Sequence, residues 1–179
     1  MATSAPVPAR LGHVGLHVTD LERAKEFYRD VVGLQITDED PQIGMVFMSA
    51  QPQEEHHELL LCGGRTAPRD AMVVQQVSFR CNSLEDIRQY HKRFQERQVP
   101  IEYEVHHGNA VAIYFYDPDG NRCEVYWNTG LEARQPSLQR VDLNKPADEI
   151  VAEIQESVRQ HGKDGIVDMS LLEGQEFAK

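Results

Sequence analysis

The chain has 179 residues, 40% of them hydrophobic, and a formal net charge of −11. That length suits one domain with a real core or two small fused modules, and the composition is that of a folded globular protein. The acidic surface repels phosphate backbones and anionic lipid, and no apolar run approaches the ~18 residues of a membrane span, so neither nucleic acid nor membrane is expected as a partner.

Residues 1–10, MATSAPVPAR, lack an apolar signal core and read as a short flexible arm. A first module is expected over residues 11–64. Val14, Leu16 and Val18 alternate with His13, Gly15 and His17, the pattern of a half-buried strand. Thr19 and Glu22 form a T-x-x-E capping box. The helix that follows carries Leu21, Ala24, Phe27 and Val31 on one face, and Gly33 suits its C-cap. Three more strands are expected at 34–37, 45–49 and 58–62. Gly63, Gly64 and the polar stretch RTAPRDA then read as a linker over residues 65–72.

A second module over residues 73–130 repeats this order. His13 to Phe27 reads HVGLHVTDLERAKEF, and Gln76 to Tyr90 reads QVSFRCNSLEDIRQY. Ser83 with Asp86 is the second capping box, and Leu84, Ile87 and Phe94 face the core. Strands are expected at 101–105, 111–116 and 122–127, with Asp117-Pro118-Asp119-Gly120 as the turn between the last two. Each module is β-α-β-β-β. The fold class is therefore α+β: two βαβββ modules in a partial barrel around a central cleft, helices outside.

Residues 131–179 form a C-terminal extension. Pro146, then Ile150, Val151, Ile154 and Val158, then Gly162, read as its one helix. The remaining tail, with apolar residues from Ile166 to Phe177, is expected to pack on the core or on a neighbouring subunit. A lid over the cleft is the sharper alternative. Cys62, Cys81 and Cys123 lie far apart without a CxxC pair, which suits buried free thiols and a cytoplasmic location.

Strand alternation points to a site. If Val14 and Leu16 face the helix, His13 faces the cleft. Gln76 holds the corresponding place in the second module. Glu58, in HHELLLC, and Glu124, in NRCEVYW, are read as matching positions on the two final strands. His13, Glu58, Gln76 and Glu124 could then converge, and imidazole and oxygen donors without thiolate suit Fe(II), Mn(II), Ni(II) or Zn(II).

Three stretches, LGHVGLHVTDLERAKEFYRDVVGL, HHELLL and HGNAVAIYFYDPDGNRCEVYW, make residues 11 to 135 resemble the vicinal oxygen chelate superfamily of glyoxalases, bleomycin-resistance proteins and extradiol dioxygenases. The third stretch is similar to the end of catechol 2,3-dioxygenase-type enzymes. That resemblance implies His13 and Glu124 as two of three Fe(II) ligands. It implies His57 as the acid–base histidine, and His107 and Tyr114 as hydrogen-bonding partners of a catechol-like substrate that reacts with O2. Pairing of modules between chains is common in this superfamily, so it also implies a homodimer.

One position departs from the family: Gln76 stands where a second histidine ligand is found. Gln76 could be a ligand itself. Glu58 could instead join the shell in a glyoxalase I-type lyase or isomerase. Or the protein could be a metal-free small-molecule binder. His57 and Glu58 are adjacent, so a regular strand turns only one of them into the cleft, unless a bulge or strand start intervenes. His56 and His106, adjacent to His57 and His107, are turned to the other face by alternation and are expected to be solvated.

Overall fold

The structure is a computed structural model that describes residues 8, 10–71 and 73–173. Most of the expected N-terminal arm, Met72 of the linker and Phe177 lie outside the described residues. The chain divides into two compact units, Met1–Pro68 and Arg69–Lys179. Among the described residues no helix is long and apolar enough to cross a membrane.

The first unit holds β1 (Val14–His17), α1 (Leu21–Phe27), β2 (Gln35–Asp40), β3 (Met45–Ser49) and β4 (Leu59–Cys62). Its sheet runs in the order β1-β4-β3-β2, with β1 parallel to β4 and the other pairs antiparallel. Leu16, Val18, Leu59 and Leu61 are buried, as alternation requires of the face under α1. The N-cap of α1 is Asp20, not Thr19: its carboxylate accepts the backbone N–H of Arg23 at 3.0 Å. Thr19 accepts from the Arg23 guanidinium instead. Two adjacent residues could cap this helix, and the carboxylate also complements the positive helix end. The helix continues as a π turn over Tyr28–Val32 and stops at Gly33, whose φ of +91° a residue with a Cβ rarely adopts.

The second unit holds β5 (Val77–Arg80), α2 (Leu84–Glu96), β6 (Ile101–His106), β7 (Ala110–Tyr116), β8 (Arg122–Asn128), β9 (Gln139–Arg140) and α3 (Ala147–His161). Its sheet runs β5-β8-β7-β6-β9. The Ser83–Asp86 capping box forms in full. Helix α2 lies on β7 and β8 and buries Leu84, Ile87, His91 and Phe94, and Phe94 packs on Phe115 at 4.5 Å between ring centroids. The Asp117–Gly120 turn closes with Gly120 N–H on the Asp117 carbonyl at 3.0 Å, while the Asp117 carboxylate accepts from Asp119 and Asn121.

The α+β class, the βαβββ order of each half and the C-terminal helix agree with the sequence reading. The extension adds two elements that the sequence reading lacks. Strand β9 pairs with β6, and a 3-10 turn spans Met169–Leu172.

Candidate functional site

In the first unit, His13 stands one residue ahead of β1 and is exposed. Its ring lies 4.4 Å from that of His57, tilted by 39°. His57 precedes β4 by two residues, so strand alternation does not govern its direction. Phe47 packs edge-on against it at 5.1 Å, and the His56 Nδ1 is 3.0 Å from the His57 Nδ1. Burial lowers the pKa of His57, and the charges of His13 and His56 lower it further. His56 is exposed, as expected. His17 is exposed too, with its Nδ1 3.4 Å from the Gly63 carbonyl.

Glu58 requires a correction. Val14 pairs with Leu59 and Gly15 with Leu60, whereas Val77 pairs with Cys123 and Ser78 with Glu124. Because Val14 corresponds to Val77, the counterpart of Glu124 is Leu60, and Glu58 corresponds to Arg122. The two glutamates do not occupy matching positions, because a two-residue offset separates them along the final strands. The Glu58 carboxylate accepts from the Ala50 N–H at 2.8 Å and the Ser49 hydroxyl at 3.3 Å, within its own unit.

In the second unit, one sheet face carries a dense polar cluster. Glu124 is 6% exposed. Its carboxylate accepts from the Ser78 hydroxyl and from the Gln76 amide N–H, the latter at 2.9 Å. The same amide nitrogen donates to the Ser78 oxygen at 2.8 Å. With its nitrogen on these two groups, Gln76 has its amide oxygen left as a further donor atom. Tyr114 pairs with Glu124 across β7 and β8. Burial raises the Tyr114 pKa, and the adjacent Glu124 charge raises it more, so the phenol stays protonated.

His107 follows the last residue of β6. Its Nδ1 is 2.7 Å from the Ser137 carbonyl and its Nε2 is 3.1 Å from the Tyr114 hydroxyl. A carbonyl only accepts, so Nδ1 carries a proton. In the neutral ring Nε2 is then a lone pair that faces the Tyr114 hydroxyl, which also lies within hydrogen-bond reach of the Glu124 carboxylate. Arg122 lies over the Tyr114 ring at 4.4 Å and is ion-paired with Glu102 at 2.5 Å.

His106 was expected to be solvated and is instead 6% exposed. Burial, with the neighbouring His107 adding to it, pulls its pKa down to about 4, and Glu153 of α3 opposes this. Strand alternation turned His106 away from the Glu124 face correctly, but the C-terminal extension covers that side.

Two polar groups escaped the sequence reading. Ser78 lies two residues after Gln76 on one strand, so alternation alone could have found it. Ser137 sits in a stretch without periodicity, and no local signal marks it. Among the described residues no three His, Cys, Asp or Glu side chains form a cluster able to hold a metal.

Tandem βαβββ modules with this strand order define the vicinal oxygen chelate architecture. The model of the Glyoxalase/Bleomycin resistance protein/Dioxygenase superfamily matches residues 10–125, and the chain belongs to that superfamily. It is 28% identical over 123 residues to the manganese-dependent 2,3-dihydroxybiphenyl 1,2-dioxygenase of Geobacillus genomosp. 3, covering 67% of this chain and 37% of that protein. It is 29% identical over 124 residues to biphenyl-2,3-diol 1,2-dioxygenase 3 of Rhodococcus globerulus, covering 66% of this chain and 63% of the relative. The chain thus spans less than two thirds of either relative. Among solved structures, the lactoylglutathione lyase of Agrobacterium tumefaciens matches with a TM-score of 0.53 and 26% identity, over 67% of this chain and 94% of that one.

Proposed function

We propose that this protein is a metal-dependent extradiol-type dioxygenase that opens the ring of a catechol-like diol with O2. The observation that carries the reading is the polar cluster of the second unit. Glu124 is a buried carboxylate whose partners are neutral donors, Ser78 and Gln76, and it forms no ion pair among the described residues. Hydrogen bonds satisfy its lone pairs but leave its charge uncompensated, and a buried anion of that kind suits a cation. The donor types that the family resemblance assigns suit a divalent metal: an imidazole from His13, an amide oxygen from Gln76 and the Glu124 carboxylate. In this proposal those three residues hold the metal, Fe(II) by first choice with Mn(II), Ni(II) and Zn(II) as alternatives. The Geobacillus relative is named as manganese-dependent, which supports a metal of this class.

When bound, the metal supplies the redox chemistry with O2 and a chelating point for the diol. The protein residues supply positioning and proton transfer. Tyr114, kept protonated, donates its O–H to a diol oxygen in place of His107 Nε2. His107 accepts from that oxygen, or from Tyr114, through the lone pair that its bond to Ser137 leaves free. His57, its pKa lowered by burial, is a neutral base near pH 7 that can take a proton from the diol and return it later. The His13–His57 contact supports a role for His57 beside His13, and the two-residue offset of Glu58 from the place that matches Glu124 counts against the four-ligand lyase set. A cytoplasmic location, consistent with three free cysteines, and a homodimer complete the proposal.

The test is anaerobic loading with Fe(II) or Mn(II), metal analysis of the dialysed protein, and an oxygen-electrode trace over a catechol panel that includes 2,3-dihydroxybiphenyl. The expected result is one metal per chain and O2 consumed in step with diol, both abolished by Glu124→Ala. Stoichiometric loading without oxygen uptake on any diol would refute the dioxygenase reading. Turnover of a hemithioacetal by a Ni(II) or Zn(II) form would establish the lyase instead.

A further inference from the structure

The C-terminal extension is bound to the His107 turn at every step. Gln135 donates from its amide nitrogen to the His107 carbonyl at 2.9 Å and to Asn109 at 3.3 Å, while its amide oxygen accepts the Ser137 N–H at 3.0 Å. Ser137 accepts the His107 Nδ1–H at 2.7 Å. A Cβ built on Gly108 would stand 2.6 Å from the Ala133 Cβ and 3.0 Å from the Val158 side chain, so extension and turn are in direct contact.

Further along, Leu138 bridges in parallel to Val167, and Asp168 donates its N–H to the Leu138 carbonyl. The 3-10 turn then places Leu171 in a cluster with Tyr103, Val105, Ala112 and Tyr114, against which Tyr126 and Leu138 pack. The register assigns this cluster to the Glu124 face. Tyr114 pairs with both Glu124 and Tyr103, and Ala112 pairs with both Tyr126 and Val105. Leu171 thus covers the Tyr114 end of the polar cluster.

We propose that the C-terminal extension completes the substrate site. The Ser137 carbonyl is a positioning group that locks His107 in its Nδ1–H tautomer and aims the Nε2 lone pair at the Tyr114 hydroxyl. Leu171 and Leu138 form an apolar wall against which the ring substituent of the diol packs. The named side chains of that wall are uncharged, and the Arg122 guanidinium that lies over its Tyr103 and Tyr114 rings is paired with Glu102. The site therefore selects diols with a neutral aryl or alkyl substituent over carboxylated ones. This inference rests on the reading of His107 and Tyr114 as substrate contacts.

Two measurements test it on the full chain. Long-range 1H–15N correlation spectra of metal-free protein report each histidine tautomer, with His107 assigned by its loss in His107→Gln. The expected result is the Nδ1–H form of His107 in the wild type, shifting toward averaged signals in Gln135→Ala, a change at an exposed residue. An Nε2–H form in the wild type, or an unchanged spectrum in the variant, would overturn the lock. In the second measurement, anaerobic titration of the Mn(II)-loaded protein compares catechol, 3-phenylcatechol and a carboxylated catechol.

Leu171→Ala should weaken 3-phenylcatechol about tenfold more than it weakens catechol, the scale of one lost apolar contact. Leu171→Met, which conserves volume, should bind like the wild type. Equal loss for both neutral diols, or tighter binding of the carboxylated one, would overturn the wall. The expected tautomer together with no diol binding by any form would refute the functional reading and the wall, while leaving the Ser137 lock standing.

Discussion

Acidification should destabilise this fold through a buried histidine. His106 is buried beside His107, and burial, reinforced by His107 and opposed by Glu153, brings its pKa from 6.5 to about 4. The native ring is neutral and accepts the Gly108 N–H at 3.3 Å. Between pH 6.5 and 4 the unfolded chain binds a proton there that the folded chain does not. Stability is therefore complete above pH 6.5, falls as the pH drops toward 4, and changes no further below it. The gap between 6.5 and about 4, at ~1.4 kcal/mol per pH unit, comes to about 3 kcal/mol. That is a large share of the roughly 5–15 kcal/mol typical of a domain. Urea unfolding of wild type and His106→Gln at pH 7.5 and pH 4.5 isolates it, because the carboxylates titrate in both proteins. Glutamine can still accept the Gly108 N–H but takes up no proton. The wild type should lose roughly 2–3 kcal/mol more than the variant over this interval. Equal losses in the two proteins would refute the assigned burial and its consequence.

Three further outcomes follow from the same geometry. Gly108→Ala places a Cβ at a φ of +77° and 2.6 Å from Ala133, so thermal unfolding should show a loss of about 1–3 kcal/mol and amide spectra should show a displaced His107 turn. Tyr114→Phe removes the hydroxyl next to His107 Nε2, and kcat/KM on a catechol should fall roughly 10–100-fold with metal content unchanged, the worth of one buried hydrogen bond. Phe94→Ala empties a fully buried site packed on Phe115, and chemical denaturation should register a cost of about 3–5 kcal/mol.

Local chemistry accounts for much of the architecture. Ser83 and Asp86 start α2, Gly33 stops the first helix, and Asp117 to Gly120 turn the last hairpin, each through bonds between residues a few positions apart. Such interactions are legible in a sequence because both partners lie in one short window. Alternation likewise placed Gln76 and Glu124 on one face of the second sheet, and their side chains meet there at 2.9 Å.

Other features depended on how distant segments align. Whether Leu60 or Glu58 stands opposite the position of Glu124 is a matter of register between β1 and β4, and a shift of two residues keeps every side chain on the same face. The hydrophobic pattern therefore could not discriminate between them. His106 looked solvent-facing until α3 and its flanking segment covered it. Ser137 acts through its backbone carbonyl, and a carbonyl is the same at every position of the chain, so only tertiary structure could single it out. The sequence by itself determined the two βαβββ halves and the residue types at their strand starts. Tertiary structure alone decided which carboxylate stands beside Ser78 and Gln76 and which tautomer faces Tyr114, because both depend on contacts between residues some thirty or more positions apart.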